Sequence, residues 1–489
     1  MAEVAKEPKV NWDKLDVEIK HEGRAITLPG DPGNMSTEKA IEALQRKLAD
    51  DNQVFAVHEI IDAYPLDAAV AFVKAMAKLY GWASPQATPG MFGPTPPQMI
   101  SVKTGHADED VVQCPLGAFK LPGIDATVNT VIGNYGPKNS LVFLIHGKIK
   151  KKDRHLLLEL ATETRRIVKD ESIYRGKAIR LGVDDNGNLD MDAPPTYMDV
   201  SDTSESDLIF DSDIQAQIDT SILVPIKNTA ECRKQKVPLK RGILLEGPYG
   251  TGKSLTARMT ANQCQQNGWT FVLLDKVQGL RAALEFANRY SPAVVFAEDI
   301  DRVASERDEA ANDLINTIDG VTSKKSEIMT ILTTNFAEKL NPVILRPGRL
   351  DAVISLRAPS DAAVQRLLRA YAGKLLPEDA DVSKAGRELS GQIPASIREC
   401  VERAKLGMIG RQAKSLSDED LVVAAQTMKN HLALLNKKAE VEQTPANMLA
   451  EGLKGVIMNG RGEKIDLVPG LRAMASRIED QVDEIRERV

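Results

Sequence analysis

The chain has 489 residues, a formal net charge of −6 and an isoelectric point of about 5.7. That length suits roughly two to four domains with a sizeable core. Hydrophobic content of 43% and charged content of 27% are those of a soluble globular protein. The acidic balance excludes a global basic field that would draw the whole molecule to nucleic acid.

The N-terminus, MAEVAKEPKV, is charged and has no apolar signal core. Ser36 to Asp50 and Val54 to Tyr80 show helical spacing, with Ser36 placed as an N-cap. The apolar stretch Val54 to Trp82 is interrupted by His58, Glu59, Asp62, Asp67, Lys74 and Lys78, so it reads as a helical segment of a soluble protein and not a membrane span. The run from Ser84 to Pro97 is rich in proline and glycine and reads as a linker or irregular arm.

From Met99 to about Met198 the pattern is mixed. Leu141 to His146 is a strand candidate, His155 to Val168 is helical, and Tyr174 to Val183 alternates like a strand before the turn signal Asp184 to Asn188. A small α+β domain is expected there. The basic run Lys148 to Arg154 fits either a solvated turn or a contact for phosphate or an acidic partner. His155 beside it has no second ligand at metal spacing. The polar stretch Asp199 to Asp213 is the expected join to the next domain.

Residues Ile214 to Leu356 alternate strand and helix patterns, as a parallel α/β sheet requires. Within them Gly247 to Ser254 reads GPYGTGKS, between the strand candidate Arg241 to Glu246 and the helix candidate Ser254 to Asn262. Gly247, Gly250 and Gly252 let the backbone turn its N–H groups toward phosphate oxygens, and the helix N-terminus adds positive potential. Lys253 reaches the terminal phosphates and Ser254 ligates Mg²⁺ in such loops. The nucleotide-binding set is therefore Gly247, Pro248, Tyr249, Gly250, Thr251, Gly252, Lys253, Ser254 and Leu255.

Further along, the apolar strand Ala293 to Ala297 ends in Glu298 and Asp299, which places one carboxylate on a metal and the other near a water. Ile328 to Asn335 is another apolar strand with a polar end. Leu345-Arg-Pro-Gly-Arg-Leu-Asp351 carries Arg346 and Arg349 on a Pro-Gly turn, suited to offering guanidinium groups to an anion across a subunit boundary. Asp361 to Lys437 is almost purely helical by pattern. Leu471, Met474, Ile478, Val482 and Ile485 share one helix face near the C-terminus, which suits either an intersubunit contact or packing on the chain's own lid.

Together these segments resemble the AAA family of ring ATPases. The matching residues are Leu223 to Lys227, Gly247 to Ser254, Val294 to Asp301, Leu314 to Gly320, Thr333 to Asn335 and Asn341 to Asp351, the last resembling the second region of homology of the AAA clade. The resemblance covers about residues 214–437. It implies an α/β P-loop AAA+ core with a helical lid, preceded by a helical segment and a small α+β domain. The boundaries expected on this basis are 1–98, 99–198, 199–358, 359–437 and a C-terminal tail, 438–489.

The resemblance further implies ATP and Mg²⁺ as cofactors. It places Ser254 and Glu298 on the metal, Asp299 as the water-activating carboxylate, Asn335 as the sensor, and Arg346 and Arg349 as fingers acting on a neighbour's nucleotide. A finger in trans implies a homo-oligomer, usually a hexameric ring.

Three departures qualify the expectation. The carboxylate order is Glu298 then Asp299, the reverse of the usual family order and similar to the mitochondrial Rieske-protein translocase branch. Asp275 to Ala283 offers no aromatic pore residue, again as in that branch, and the segment from Asp301 to Ala310 is short. Ser396 stands where some AAA+ lids carry a sensor arginine, and Arg398 reads as a surface residue. No HExxH occurs, so a fused zinc protease is not expected from this sequence. Cys114, Cys232, Cys264 and Cys400 form no CxxC pair and point to a reducing, cytoplasmic setting.

The expected function is ATP-driven remodelling of a protein partner recruited by residues 1 to about 198. The alternatives are an ATP-stabilised scaffold or switch and, less favoured by the charge, a loader or helicase that touches nucleic acid through Lys148 to Arg154.

Overall fold

The computed structural model describes residues 18–21, 24–27, 37–81, 84–90, 93–122, 126–135, 140–184, 187–189, 193–203, 207–301, 326–337, 340 and 350–429. A short hairpin, β1 (Glu18–His21) and β2 (Arg24–Thr27), precedes helix α1 (Thr37–Asp51). The segment expected to be one long helix is then divided into strand β3 (Val54–Ile61) and helix α2 (Pro65–Tyr80). Proline at the first helical position explains the division. It holds Tyr64 in extended geometry (φ −63°, ψ 136°) and starts a helix where none can run through from upstream. Gly81 closes α2 in the left-handed conformation (φ 73°).

The Pro/Gly run is not a plain linker either. It forms β4 (Ser84–Gln86), β5 (Thr88–Gly90) and β6 (Gly93–Thr95), followed by β7 (Gln98–Lys103). Then come β8 (Val111–Lys120), β9 (Thr127–Tyr135), β10 (Ser140–Lys150) and helix α3 (Arg154–Glu171). An antiparallel sheet runs in the order β3-β10-β9-β8-β4, with β7 also on β8. Its proline-bearing strand β4 lies at the edge, where a missing N–H breaks no ladder. Helices α2 and α3 pack on one face of this sheet, burying Phe72, Phe119, Phe143, Ile145 and Leu157.

The second sheet begins earlier in the chain than expected. The sequence pattern places β11 (Ala178–Leu181) and β12 (Thr196–Tyr197) in the α+β domain, yet both join the second sheet, where β11 pairs in parallel with β14 (Thr270–Leu274). Short helices α4 (Ser212–Ile218), α5 (Val224–Lys227) and α6 (Thr229–Lys234) lead into β13 (Arg241–Glu246) and α7 (Lys253–Gln266). Helix α8 (Leu280–Arg289), β15 (Ala293–Ala297), β16 (Ile328–Thr334) and β17 (Ala352–Ser355) complete the order β12-β11-β14-β15-β16-β13-β17. All its pairings except β11–β12 are parallel. β14, β15 and β16 are buried along their whole length, which is why they read as unbroken apolar runs.

The two sheets share one core. Tyr64, Tyr174, Phe286 and Tyr290 pack together, mostly edge to face at 5.7–5.9 Å between centroids, with Phe286 and Tyr290 tilted at 4.8 Å. The Tyr64 N–H donates to the Tyr290 hydroxyl at 2.9 Å, and Arg175 donates to the carbonyls of Ser291 (2.7 Å) and Arg289 (3.0 Å). A boundary at 198/199 therefore cuts through packed aromatic side chains.

A second compact unit includes the described residues 207–215, 248–252 and 356–429. Its described part holds α9 (Asp361–Ala372), α10 (Ser383–Glu388), α11 (Pro394–Gly410) and a helix over 418–429. Ser360 caps α9 by accepting from the Ala363 N–H. Val364, Leu368, Leu389, Ile397, Cys400 and Leu421 form its core. The apolar stripe of Leu471 to Val489 lies outside the described residues.

Candidate functional site

The loop after β13 turns on left-handed glycines: Gly247 at φ 148°, Gly250 at 77° and Gly252 at 109°. Only glycine takes such angles cheaply, and the cradle of inward N–H groups depends on them. A Cβ on Gly250 would fall 2.8 Å from Ala395 Cβ and 2.9 Å from Ile393 Cδ1, and the Ala395 N–H donates to the Gly250 carbonyl. Thr251 is buried and donates to the Pro248 carbonyl at 2.8 Å, while Tyr249 stands out in solvent. Leu255 is half-buried on the first turn of α7.

Lys253 lies almost buried at the start of α7, with its ammonium 2.5 Å from the Gly247 carbonyl. Burial lowers its pKa, against the opposing pull of Asp299, Asp301 and Glu298. Ser254 donates to Glu298 Oε1 at 2.8 Å across 44 positions of sequence. The parallel order puts the ends of β13, β15 and β16 side by side, so the groups at those ends meet.

On the neighbouring turn, Asn335 Nδ2 donates to Asp299 Oδ1 at 2.8 Å. Asp299 itself sits at φ +51°, the left-handed region, a strained placement for a residue with a Cβ. Its N–H is held by Thr333 Oγ1 at 3.1 Å. Asp301 accepts from Thr334 Oγ1 (2.8 Å) and the Asn335 N–H (3.2 Å), and so fixes the turn that presents Asn335. Sequence reading gave Thr333 and Asp301 no role. The signal was the Thr-Thr-Asn end of β16, whose hydroxyls had no purpose in a buried strand.

A hollow of about 520 Å³ adjoins Ser254 and Glu298 and is lined also by Arg180, Tyr197 and Arg258. Arg258 is engaged by Asp202 at 2.6 Å and Arg180 by Asp275 at 3.3 Å. These two arginines were also missed, because their strands were assigned to another domain or their helix face was unknown. Arg346 and Arg349 lie outside the described residues, as do Leu314 to Gly320. Arg398 is exposed on α11 and Ser396 is half-buried there.

The residues present fit a magnesium nucleotide. The oxygen of the Asn335 side chain is buried with no hydrogen-bond partner, an acceptor waiting for a donor such as water. A hydroxyl and a carboxylate in contact, Ser254 and Glu298, make the oxygen donor set that Mg²⁺ takes. Among the described residues no cluster of three or more His, Cys, Asp or Glu forms another metal site.

Residues 243–358 match the family model described as "ATPase family associated with various cellular activities (AAA)". The chain is 29% identical over 276 residues to the "ATP-dependent zinc metalloprotease FtsH" of Streptococcus pneumoniae, covering 51% of this chain and 42% of that protein. It is 30% identical over 220 residues to the protein of the same name from Thermus thermophilus, covering 41% of this chain and 35% of that one. The chain thus spans less than half the length of these relatives. Among the described residues no helix is long and apolar enough to cross a membrane.

Proposed function

Residues 243–358 match the AAA family of ATPases, and from that premise we propose that the chain assembles as a ring in which each nucleotide pocket needs a second copy, and that it uses ATP hydrolysis to remodel a protein partner.

 The observation that carries this reading is the meeting of Ser254 with Glu298 and of Asn335 with Asp299 at the ends of three adjacent strands.

Bound Mg²⁺ would neutralise negative charge that develops on the phosphates during hydrolysis. Ser254 and Glu298 are the residues that would hold it. The glycine-rich turn and Lys253 bind and orient the phosphates. Asp299 accepts the proton of the attacking water, and the unpaired oxygen of Asn335 accepts that water's second hydrogen and fixes its direction. Arg346 and Arg349 supply positive charge to a neighbouring copy's nucleotide. The missing aromatic between Asp275 and Ala283 favours remodelling of a partner held at the ring over threading of an extended chain.

Mixing two defective variants tests the shared pocket. Lys253→Ala and the doubly substituted Arg346→Ala/Arg349→Ala chain should each be nearly inactive alone, and their mixture should recover part of the ATPase rate. Full activity of the arginine variant by itself, or of a dilute monomer, would overturn the reading. The scaffold alternative draws on the Glu298-Asp299 order. It is favoured if Asp299→Asn, still holding ATP, supports the protein's biological activity.

A further inference from the structure

Among the described residues, the helices packed on the sheet of β3, β10, β9, β8 and β4 are α2 and α3, and both lie on one face. Strand alternation and register define the other face. His58, His146, Asn129, Ala118 and Gln86 form one cross-strand row, because His146 pairs with both His58 and Asn129, Asn129 with Ala118, and Ala118 with Gln86. In the adjacent row Lys148 pairs with Ala56, and Thr127 with Lys120. Together these rows line a trough of about 780 Å³.

Charge on this face is one-sided. Glu59 is the sole carboxylate within the five strands, and it points the other way, where Arg165 of α3 holds it at 2.7 Å. The side chains of Lys120 and Lys148 are exposed, and their ammonium groups pair with no carboxylate among the described residues. Lys151, by contrast, is tied to Asp50 at 2.6 Å. The basic run Lys148 to Arg154 is therefore divided by the fold, and Lys148 belongs to the trough.

The trough also offers flat rings. The His58 and His146 imidazoles stand side by side with planes 13° from parallel and centroids 5.7 Å apart. Burial and the neighbouring His58 lower the His146 pKa, which keeps that ring neutral and suited to stacking. Further along the same face of β9, Val131 and Tyr135 are exposed. Asn129 and Thr127 bring hydrogen-bonding groups between the rings and the lysines. Five strands span about 19 Å at the usual spacing of about 4.8 Å, room for two or three unstacked bases.

We propose that this open sheet face binds single-stranded nucleic acid, with Lys120 and Lys148 at the phosphates and His58, His146 and Asn129 at the bases. Positive charge beside exposed rings is the combination that single strands need, since every base has a face to stack. An acidic peptide would use the lysines but leave the rings without purpose, and peptides that extend a sheet bind its edge and not its face. The global charge of −6 does not oppose this, because the attraction is set by local groups within a Debye length of about 8–10 Å.

The test is fluorescence anisotropy of the full chain with a labelled oligothymidylate or oligouridylate of about 15 nucleotides. A duplex of the same length and a polyglutamate peptide serve as competitors. Binding should weaken with salt, and Lys120→Gln/Lys148→Gln should make the log–log salt slope shallower by about 1.4, two contacts at about 0.7 each. Replacing His58 and His146 by alanine should weaken binding about 5- to 150-fold, the loss of one stacked base, with little change in salt slope. No binding of the single strand, unchanged binding by the lysine variant, or equal competition by polyglutamate would each overturn the proposal. A thermal melt of each variant matched to the parent excludes unfolding, and unchanged basal ATPase activity separates this site from the nucleotide pocket.

Discussion

Asp299→Asn separates the chemistry of the carboxylate from its place in the fold. The backbone there has φ +51°, which asparagine tolerates about as well as aspartate. The side-chain oxygen that accepts from Asn335 Nδ2 at 2.8 Å survives the substitution, as does the backbone bond to Thr333. Stability should therefore stay within about 0.5 kcal/mol of the parent. What disappears is the ability to take a proton from water, which contributes about 10²- to 10⁴-fold in such sites, or about 2.7–5.4 kcal/mol of barrier at 1.36 kcal/mol per decade. Steady-state phosphate release and chemical denaturation measure the two effects, and a fluorescent ATP analogue checks that binding persists. A variant that hydrolyses ATP within tenfold of the parent would refute the role of Asp299. Glu298→Gln would then become the test of whether the two carboxylates exchange roles.

Gly250→Ala places a Cβ at φ 77° against Ala395 and Ile393, and should cost about 1–3 kcal/mol in denaturation while weakening ATP binding; equal stability would contradict the close approach. Tyr290→Phe removes the hydroxyl that accepts from the Tyr64 N–H at 2.9 Å, so a loss of about 0.5–1.5 kcal/mol is expected by urea melt, and a neutral result would mean that the sheets do not depend on this bond. Burial pushes the Cys114 thiol up to about 11 and the Cys400 thiol up to about 12, and all four thiols are buried. Cys114 and Cys400 therefore remain protonated at about pH 8, and because all four thiols are buried a chromogenic disulfide should react slowly with the native chain and rapidly with all four after unfolding; fast native labelling would contradict the burial.

Much of the parallel sheet was legible because its strands are buried on both faces. Arg241 to Glu246 and Ala293 to Ala297 are apolar runs of strand length bounded by turns, and the strands occupy those ranges. The N-terminal half was less legible. Val54–Ile61 and Pro65–Tyr80 are both apolar, and a helical period read across them hides the break that Pro65 makes. Ser84–Gln86 looks like a linker by composition and is a strand because β8 offers it a free edge. Nor does Ala178–Leu181 announce which sheet it joins, since its partner, Phe271 to Leu274, lies about ninety positions away.

The sequence by itself determined the glycine turn, the lysine and serine that follow it, and the polar ends of the apolar strands, since these depend on backbone angles and on residues adjacent in the chain. Only the tertiary structure decided that Ser254 meets Glu298, that Asn335 meets Asp299, and that Lys120, Lys148 and two histidines share one face of a sheet. The physical reason is that strand order and register bring distant residues together through backbone hydrogen bonds, and those bonds are indifferent to the side chains they align.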